Sequence, residues 1–195
     1  MDIKQDDARQ RLLDAALKIF MTKGYAAASV SEIVQAAGVT KPMLYYYFKN
    51  KEGIYTELMM LSFREFDAML ARYSEPVSPI KDTLMNMFKE LMMLQDERMD
   101  YVRLIYAMVY GPAQGAPAVD FEVFHTRMAA RIAEMVQVGI ERGEFEEVDV
   151  ADFSTLLISV LFFCMDSRVI DCAVTMSAED MSRIIGKVFS KILIK

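Results

Sequence analysis

The chain has 195 residues, is 54% hydrophobic and 26% charged, and carries a formal net charge of −6. That length fits one domain, or a small module fused to a larger one, with enough apolar residues to bury a core unaided by disulfides or metals. Whole-chain disorder, a disulfide framework and a His-rich metal site are therefore excluded, since only two cysteines and one histidine (His125) are present.

The charge is unevenly placed. Residues 1–51 hold eight Lys/Arg and five acids (+3), and the remaining 144 hold 14 bases and 23 acids (−9). Such a basic head on an acidic body can approach a polyanion head first. The charged start, Met-Asp-Ile-Lys-Gln-Asp-Asp, lacks the apolar core of a signal peptide. The longest charge-free apolar run, Phe153 to Met165, is shorter than the ~20 residues of a membrane helix. The expectation is a soluble, cytoplasmic protein without cofactors.

In chain order, helical periodicity begins at Ala8, with Leu12, Leu13, Ala16, Leu17, Ile19 and Phe20, and ends at Gly24. Ser29 and Glu32 have capping-box spacing at the head of a short helix carrying Val30, Ile33, Val34 and Ala37. Gly38 stands where a left-handed residue would end that helix. Thr40 is an N-cap candidate for a third helix with Pro42 in its first turn and Leu44, Tyr47 and Phe48 as its buried stripe. Asn50 caps a longer helix over 51–73. Pro76 and Pro79 break the chain, and helices follow at about 79–95, 97–110, 119–142, 149–171 and 177–194, with a glycine-proline loop at 111–117. The predicted fold is all-α: an N-terminal three-helix helix-turn-helix head (1–50) on a larger helical-bundle body (51–195).

Two short helices joined at Ala37-Gly38-Val39 make a helix-turn-helix, whose second helix can enter a DNA major groove. Removing the buried stripe from residues 40–48 leaves Thr40, Lys41, Pro42, Met43, Tyr45 and Tyr46, with no carboxylate to repel phosphate. Lys41 can donate to guanine O6/N7, and Pro42 or Met43 can touch a thymine methyl. Thr40, Tyr46 and Lys51 suit phosphate, Lys51 standing on a helix N-terminus.

Residues 9–58 closely resemble the DNA-binding head of the tetracycline-repressor (TetR) family. The likeness lies in Ile19-x-Phe-x-x-Lys-Gly-Tyr25, then S-V-S-E-I-V-Q-A-A-G-V from Ser29, then K-P-M-L-Y-Y-Y-F-K-N-K-E-G-I-Y from Lys41. It implies a homodimer on a palindromic operator, an effector pocket in each body, Lys41, Pro42, Met43 and Tyr45 toward bases, and Thr40, Tyr46, Tyr47 and Lys51 toward phosphates. Pro42 stands where many relatives have glycine.

Of 17 methionines, 14 lie beyond residue 50, and methionine fills irregular, re-packable space. Met59, Phe63, Phe66, Met87, Phe88, Met92, Tyr101, Ile105, Met108, Phe124, Met128 and Met165 suggest a soft cavity for a small, mainly apolar effector, with His125, Tyr101, Tyr106 and Arg103 as candidate polar anchors. Leu156, Val160, Phe163, Ile184, Val188 and Phe189 lie on broad apolar faces that a two-fold interface would bury. Cys164 and Cys172 read as small buried hydrophobes, and Asp171 as one of several solvated or interface charges. No Glu-x-x-His pair, nucleophile elbow or phosphate-binding glycine loop points to an enzyme. The competing expectation is a helical small-molecule carrier or interaction module without DNA binding.

Overall fold

The computed structural model describes residues 3–75, 79–111, 114–170 and 175–192; Pro76, Pro112, Asp171 and Cys172 lie outside them. The described residues form α1 (Ile3–Ala27), α2 (Val30–Ala37), α3 (Lys41–Phe48), α4 (Lys51–Ala71), α5 (Ile80–Glu97), α6 (Met99–Val109), α7 (Glu122–Glu141), α8 (Val150–Val169) and α9 (Ala178–Phe189). The expected helices all form, with ends displaced by a few residues. The largest difference is α1, which begins before Ala8; Gly24 (φ +77°, ψ 165°) is non-helical and breaks the helix where the sequence placed its end, with a last short helical stretch to Ala27 beyond the kink.

The chain divides into two compact units. Residues 1–64 with 98–120 form the first, and 65–97 with 121–195 the second. This division differs from one at residue 50, because α6 packs on α1 and buries Leu104. Helix α4 is continuous and contributes to both units.

In the first unit, Leu12, Leu13, Ala16 and Phe20 of α1 meet Ile33 of α2, Leu44 and Phe48 of α3, and Ile54, Tyr55 and Leu58 of α4 in a dry core. Phe20, Tyr25 and Tyr55 form an aromatic trio with centroids 5.0–5.8 Å apart. Burial raises the Tyr25 and Tyr55 phenols above their ordinary range, with a smaller push on Tyr25 from Glu52.

In the second unit, the end of α4 packs with α5, α7, α8 and α9 around Met69, Phe88, Met92, Ile132, Leu157, Leu161 and Ile185. Helices α8 and α9 start as expected: Asp149 Oδ1 accepts from Asp152 N, and Ser177 and Asp180 form a reciprocal capping box. By length and composition α8 could cross a membrane. Here one face, with Phe153, Leu157, Leu161 and Cys164, is buried in the bundle, while Leu156 and Phe163 stand outside it. Phe189 does not join that outer face. It is fully buried, because its ring packs on Phe145 (5.4 Å) and Phe153 (5.7 Å) within its own unit.

Candidate nucleic-acid interface

The site is built from the α2 turn outward. Ser29 accepts from Glu32 N while the Glu32 carboxylate accepts from Ser29 N at 3.0 Å, so the α2 N-terminus is closed reciprocally. Hydrogen bonds from Lys23 first, then from Ser29, lower the Glu32 carboxyl to about 2. At the other end Gly38 is left-handed (φ +63°), a conformation that a Cβ would strain. Its N–H and that of Val39 return to Gln35 O (3.2 Å) and Val34 O (3.0 Å). Arg11 of α1 donates to the remaining Ala37 carbonyl at 3.1 Å. The turn that aims α3 is thereby fixed by its own backbone and by α1.

Helix α3 then exposes Thr40, Lys41, Pro42, Tyr45 and Tyr46, with Met43 and Tyr47 half-buried. Positions 41, 42, 45 and 46 follow the i, i+1, i+4, i+5 spacing that keeps them on one side of a helix. Tyr45 is 50% and Tyr46 72% exposed, large values for phenol rings, whereas Leu44 and Phe48 are buried. Thr40 occupies the N-cap by backbone geometry, but its hydroxyl makes no capping hydrogen bond. The sequence-based stripe is thus correct at Leu44 and Phe48, and Tyr47 lies between the two roles given to it, its ring edge-on to Tyr46 at 5.0 Å.

The α3–α4 corner is tight. Lys49 has φ +65° and ψ −43°, and Asn50 N reaches back to Phe48 O at 2.8 Å, closing a strained three-residue turn. Asn50 Oδ1 accepts from Gly53 N at 2.7 Å, the cap expected from sequence. A Cβ on Gly53 would stand 1.8 Å from the Phe48 carbonyl oxygen, so only glycine allows this approach. The exposed Lys41 and Lys49 form no ion pair among the described residues, and no carboxylate occurs from Val39 to Lys51.

The Lys51 side chain has partners within the first unit. Its ammonium donates to the carbonyls of Tyr25 (2.9 Å) and Ala28 (3.0 Å) and lies 4.3 Å from the Tyr25 ring centroid. Arg9 adds a second clasp: it pairs with Glu57 and lies 5.6 Å from the centroid of the Phe48 ring. Both tie α4 to the α1 end of the unit, and Arg9 also holds α3 through Phe48. Spacing could not reveal Lys51's part, since its acceptors lie 26 and 23 residues earlier.

The expected effector-site residues fall in both units. Phe63, Tyr101, Ile105 and Met108, with Met59, Arg103 and Tyr106, belong to the first; Phe66, Met87, Phe88, Met92, Phe124, His125, Met128 and Met165 belong to the second. Within the second, Met87, Phe88, Met92 and Met128 are buried together, and Phe66 packs on Phe124 at 4.7 Å. His125 is exposed and leans edge-on against Phe162 at 4.7 Å.

A helix-turn-helix with a basic, acid-free second helix defines a DNA-binding class of protein. Residues 12–58 match the profile of the family described as bacterial regulatory proteins, tetR family. The chain is 31% identical over 88 residues to the HTH-type transcriptional regulator AcrR of Shigella flexneri, covering 43% of this chain and 41% of that one. It spans less than half the length of the first curated relatives it matches. Solved structures match more fully. PfmR, a TetR family transcriptional regulator from Thermus thermophilus, superposes with TM-score 0.69 at 25% identity, covering 95% of this chain and all of that one. The SmeT–triclosan complex superposes with TM-score 0.75 at 15% identity, covering 96% and 92%. The head of the chain, residues 12–58, is therefore that of the tetR family.

Proposed function

We propose that the protein is a dimeric transcriptional regulator that binds a palindromic operator and is released from it by a small, mainly apolar effector. The observation that carries the DNA-binding part is the face of α3 and its C-terminal corner: exposed Lys41 and Lys49, two exposed phenols and no acid, on a helix braced by α1, α2 and α4. Lys41, Pro42, Met43 and Tyr45 read bases; Thr40, Tyr46 and Tyr47 hold phosphates. Lys51 positions the corner through its side chain and reaches phosphate through its backbone N–H at the α4 N-terminus.

Support for a dimer comes from α8, which is apolar on both sides and covered on one: Leu156 is 46% and Phe163 57% exposed, flanked by half-buried Val160. Half-buried Ile184 and Val188 of α9 complete the face. A second copy would cover it, and a two-fold axis would present two α3 helices to half-sites ~34–36 Å apart. Support for an effector comes from the methionine-rich interior of the second unit and from a structural neighbour solved with triclosan. Helix α4 carries the effect to the α3 corner as a population shift between binding and non-binding dimers. Such a regulator acts in the cytoplasm and catalyses no reaction.

Selection of bound sequences from a random duplex pool tests this reading. A palindrome with half-sites one helical turn apart is expected. No enriched sequence from a folded protein would overturn the regulator and leave the small-molecule carrier.

A further inference from the structure

The buried face of α5 runs through Leu84, Phe88, Leu91 and Met92 and ends on a polar residue, Gln95, which is only 2% exposed. Its Nε2 donates to the Met165 carbonyl of α8 at 2.9 Å. That bond fixes the amide's orientation, because the turned amide would set two acceptor oxygens against each other. The other amide atom, Oε1, has no hydrogen-bond partner. Buried carbonyl oxygens nearly always have one. The side chains of Phe88, Leu91 and Met92 on its own helix, and of Leu161 on α8, are apolar, and the buried Ser167 hydroxyl of α8 already donates to Cys164 O at 2.8 Å.

We propose that Gln95 Oε1 is the polar anchor of a small-molecule site inside the second unit, taking a neutral, mainly apolar ligand with a single hydroxyl. The proposal rests on the effector reading above and names the chemistry of that ligand. Neutrality follows from the surroundings. The buried polar residues among those described are Thr83, Gln95, Ser154 and Ser167, none of them charged. An ammonium would lose its water and meet no buried carboxylate among the described residues, Asp96 beside it in the chain being already paired with Arg168, and a carboxylate would face a carbonyl oxygen. A hydroxyl donates to Oε1 at little desolvation cost, and its apolar body lies among Met87, Met92 and Met128, whose unbranched side chains re-pack without breaking a helix. A buried water could make the same hydrogen bond, so the test compares ligands that differ only in the donor.

The experiment is calorimetric titration of the full chain with 4-propylphenol and with 4-propylanisole, its methyl ether. The phenol should bind at least about tenfold more tightly, the worth of one satisfied buried hydrogen bond. Gln95→Met, which keeps the volume and removes the acceptor, should bring the phenol down to the ether's affinity and leave the ether unchanged. Equal affinity of the unaltered protein for both probes, tighter binding of the ether, or no binding of either would overturn the proposal, and none of these results depends on the variant folding. Operator binding without probe reads the regulator hypothesis separately. If it fails while the phenol preference holds, the regulator reading falls and the Gln95 site stands; intact operator binding without that preference removes the anchor alone.

Discussion

Replacing Lys51 by methionine separates positioning from phosphate contact. The substitution keeps most of the side-chain length and removes two charge-assisted hydrogen bonds, to Tyr25 O at 2.9 Å and Ala28 O at 3.0 Å, and a cation–π contact at 4.3 Å. Hydrogen bonds to charged groups contribute ~1.5–3 kcal/mol each and an exposed cation–π contact ~0.5–1 kcal/mol. Lys51 is only half-buried, so solvent screens part of that sum, and about 2–4 kcal/mol remains. For a chain of this size that corresponds to a fall in Tm of about 4–16 °C. Operator affinity should fall as well, because the α3–α4 corner loosens. The slope of log K against log salt should stay unchanged, since no phosphate contact of the side chain is lost. By contrast, Lys49→Met should leave Tm nearly unaltered and reduce the magnitude of the slope by about one, whereas Lys41→Met should leave Tm nearly unaltered and relax the preference at one base pair by ~1–3 kcal/mol. Melting in the absence of DNA, paired with anisotropy titrations between about 50 and about 200 mM salt, gives both quantities. An unaltered Tm together with a slope reduced by about one would return Lys51 to the phosphate contacts and refute the positioning argument.

Three further outcomes follow from the same geometry. Gly53→Ala favours a helix by ~1 kcal/mol in propensity, yet its Cβ would meet the Phe48 carbonyl at 1.8 Å, so thermal melting should show net destabilisation of about 1–3 kcal/mol; a stabilised variant would contradict the corner as described. The Glu32 carboxyl is lowered to about 2, so its contribution is present above the ordinary carboxylate range and is lost as pH falls from about 4.5 toward 2. The Tm difference between the native chain and Glu32→Gln should shrink across that window, and a constant difference would dismiss the capping network. Phe163→Asp should weaken the dimer at least about tenfold by sedimentation equilibrium with helicity retained, whereas Phe189→Asp should unfold the second unit.

Local features of the fold were legible because local chemistry specifies them. The capping box at Ser29, the left-handed Gly38 and the Asn50 cap all act within a few residues, and the structure shows each of them. The exposed face of α3 was legible for the same reason, since its period and two buried residues determine the remainder. Long-range packing was not. Leu104 of α6 is buried against the first unit, and nothing in its own amphipathic pattern says which helix it will meet. Phe163 and Phe189 are equally apolar in sequence, but one lies outside the bundle and the other is enclosed by Phe145 and Phe153. The bracing hydrogen bonds of Lys51 were hidden because its acceptors come from a distant turn. Gln95 did carry a local signal: it sits three, four and seven residues after Met92, Leu91 and Phe88, a polar side chain in buried register.

The most direct test of the central claim is the stoichiometry of the protein on its selected duplex, read by analytical ultracentrifugation. Two protomers on a palindrome, falling to weak and sequence-independent binding when the half-site spacing is changed by half a helical turn, is the predicted result. A single protomer bound with equal affinity at either spacing would contradict a dimer that reads two adjacent major grooves.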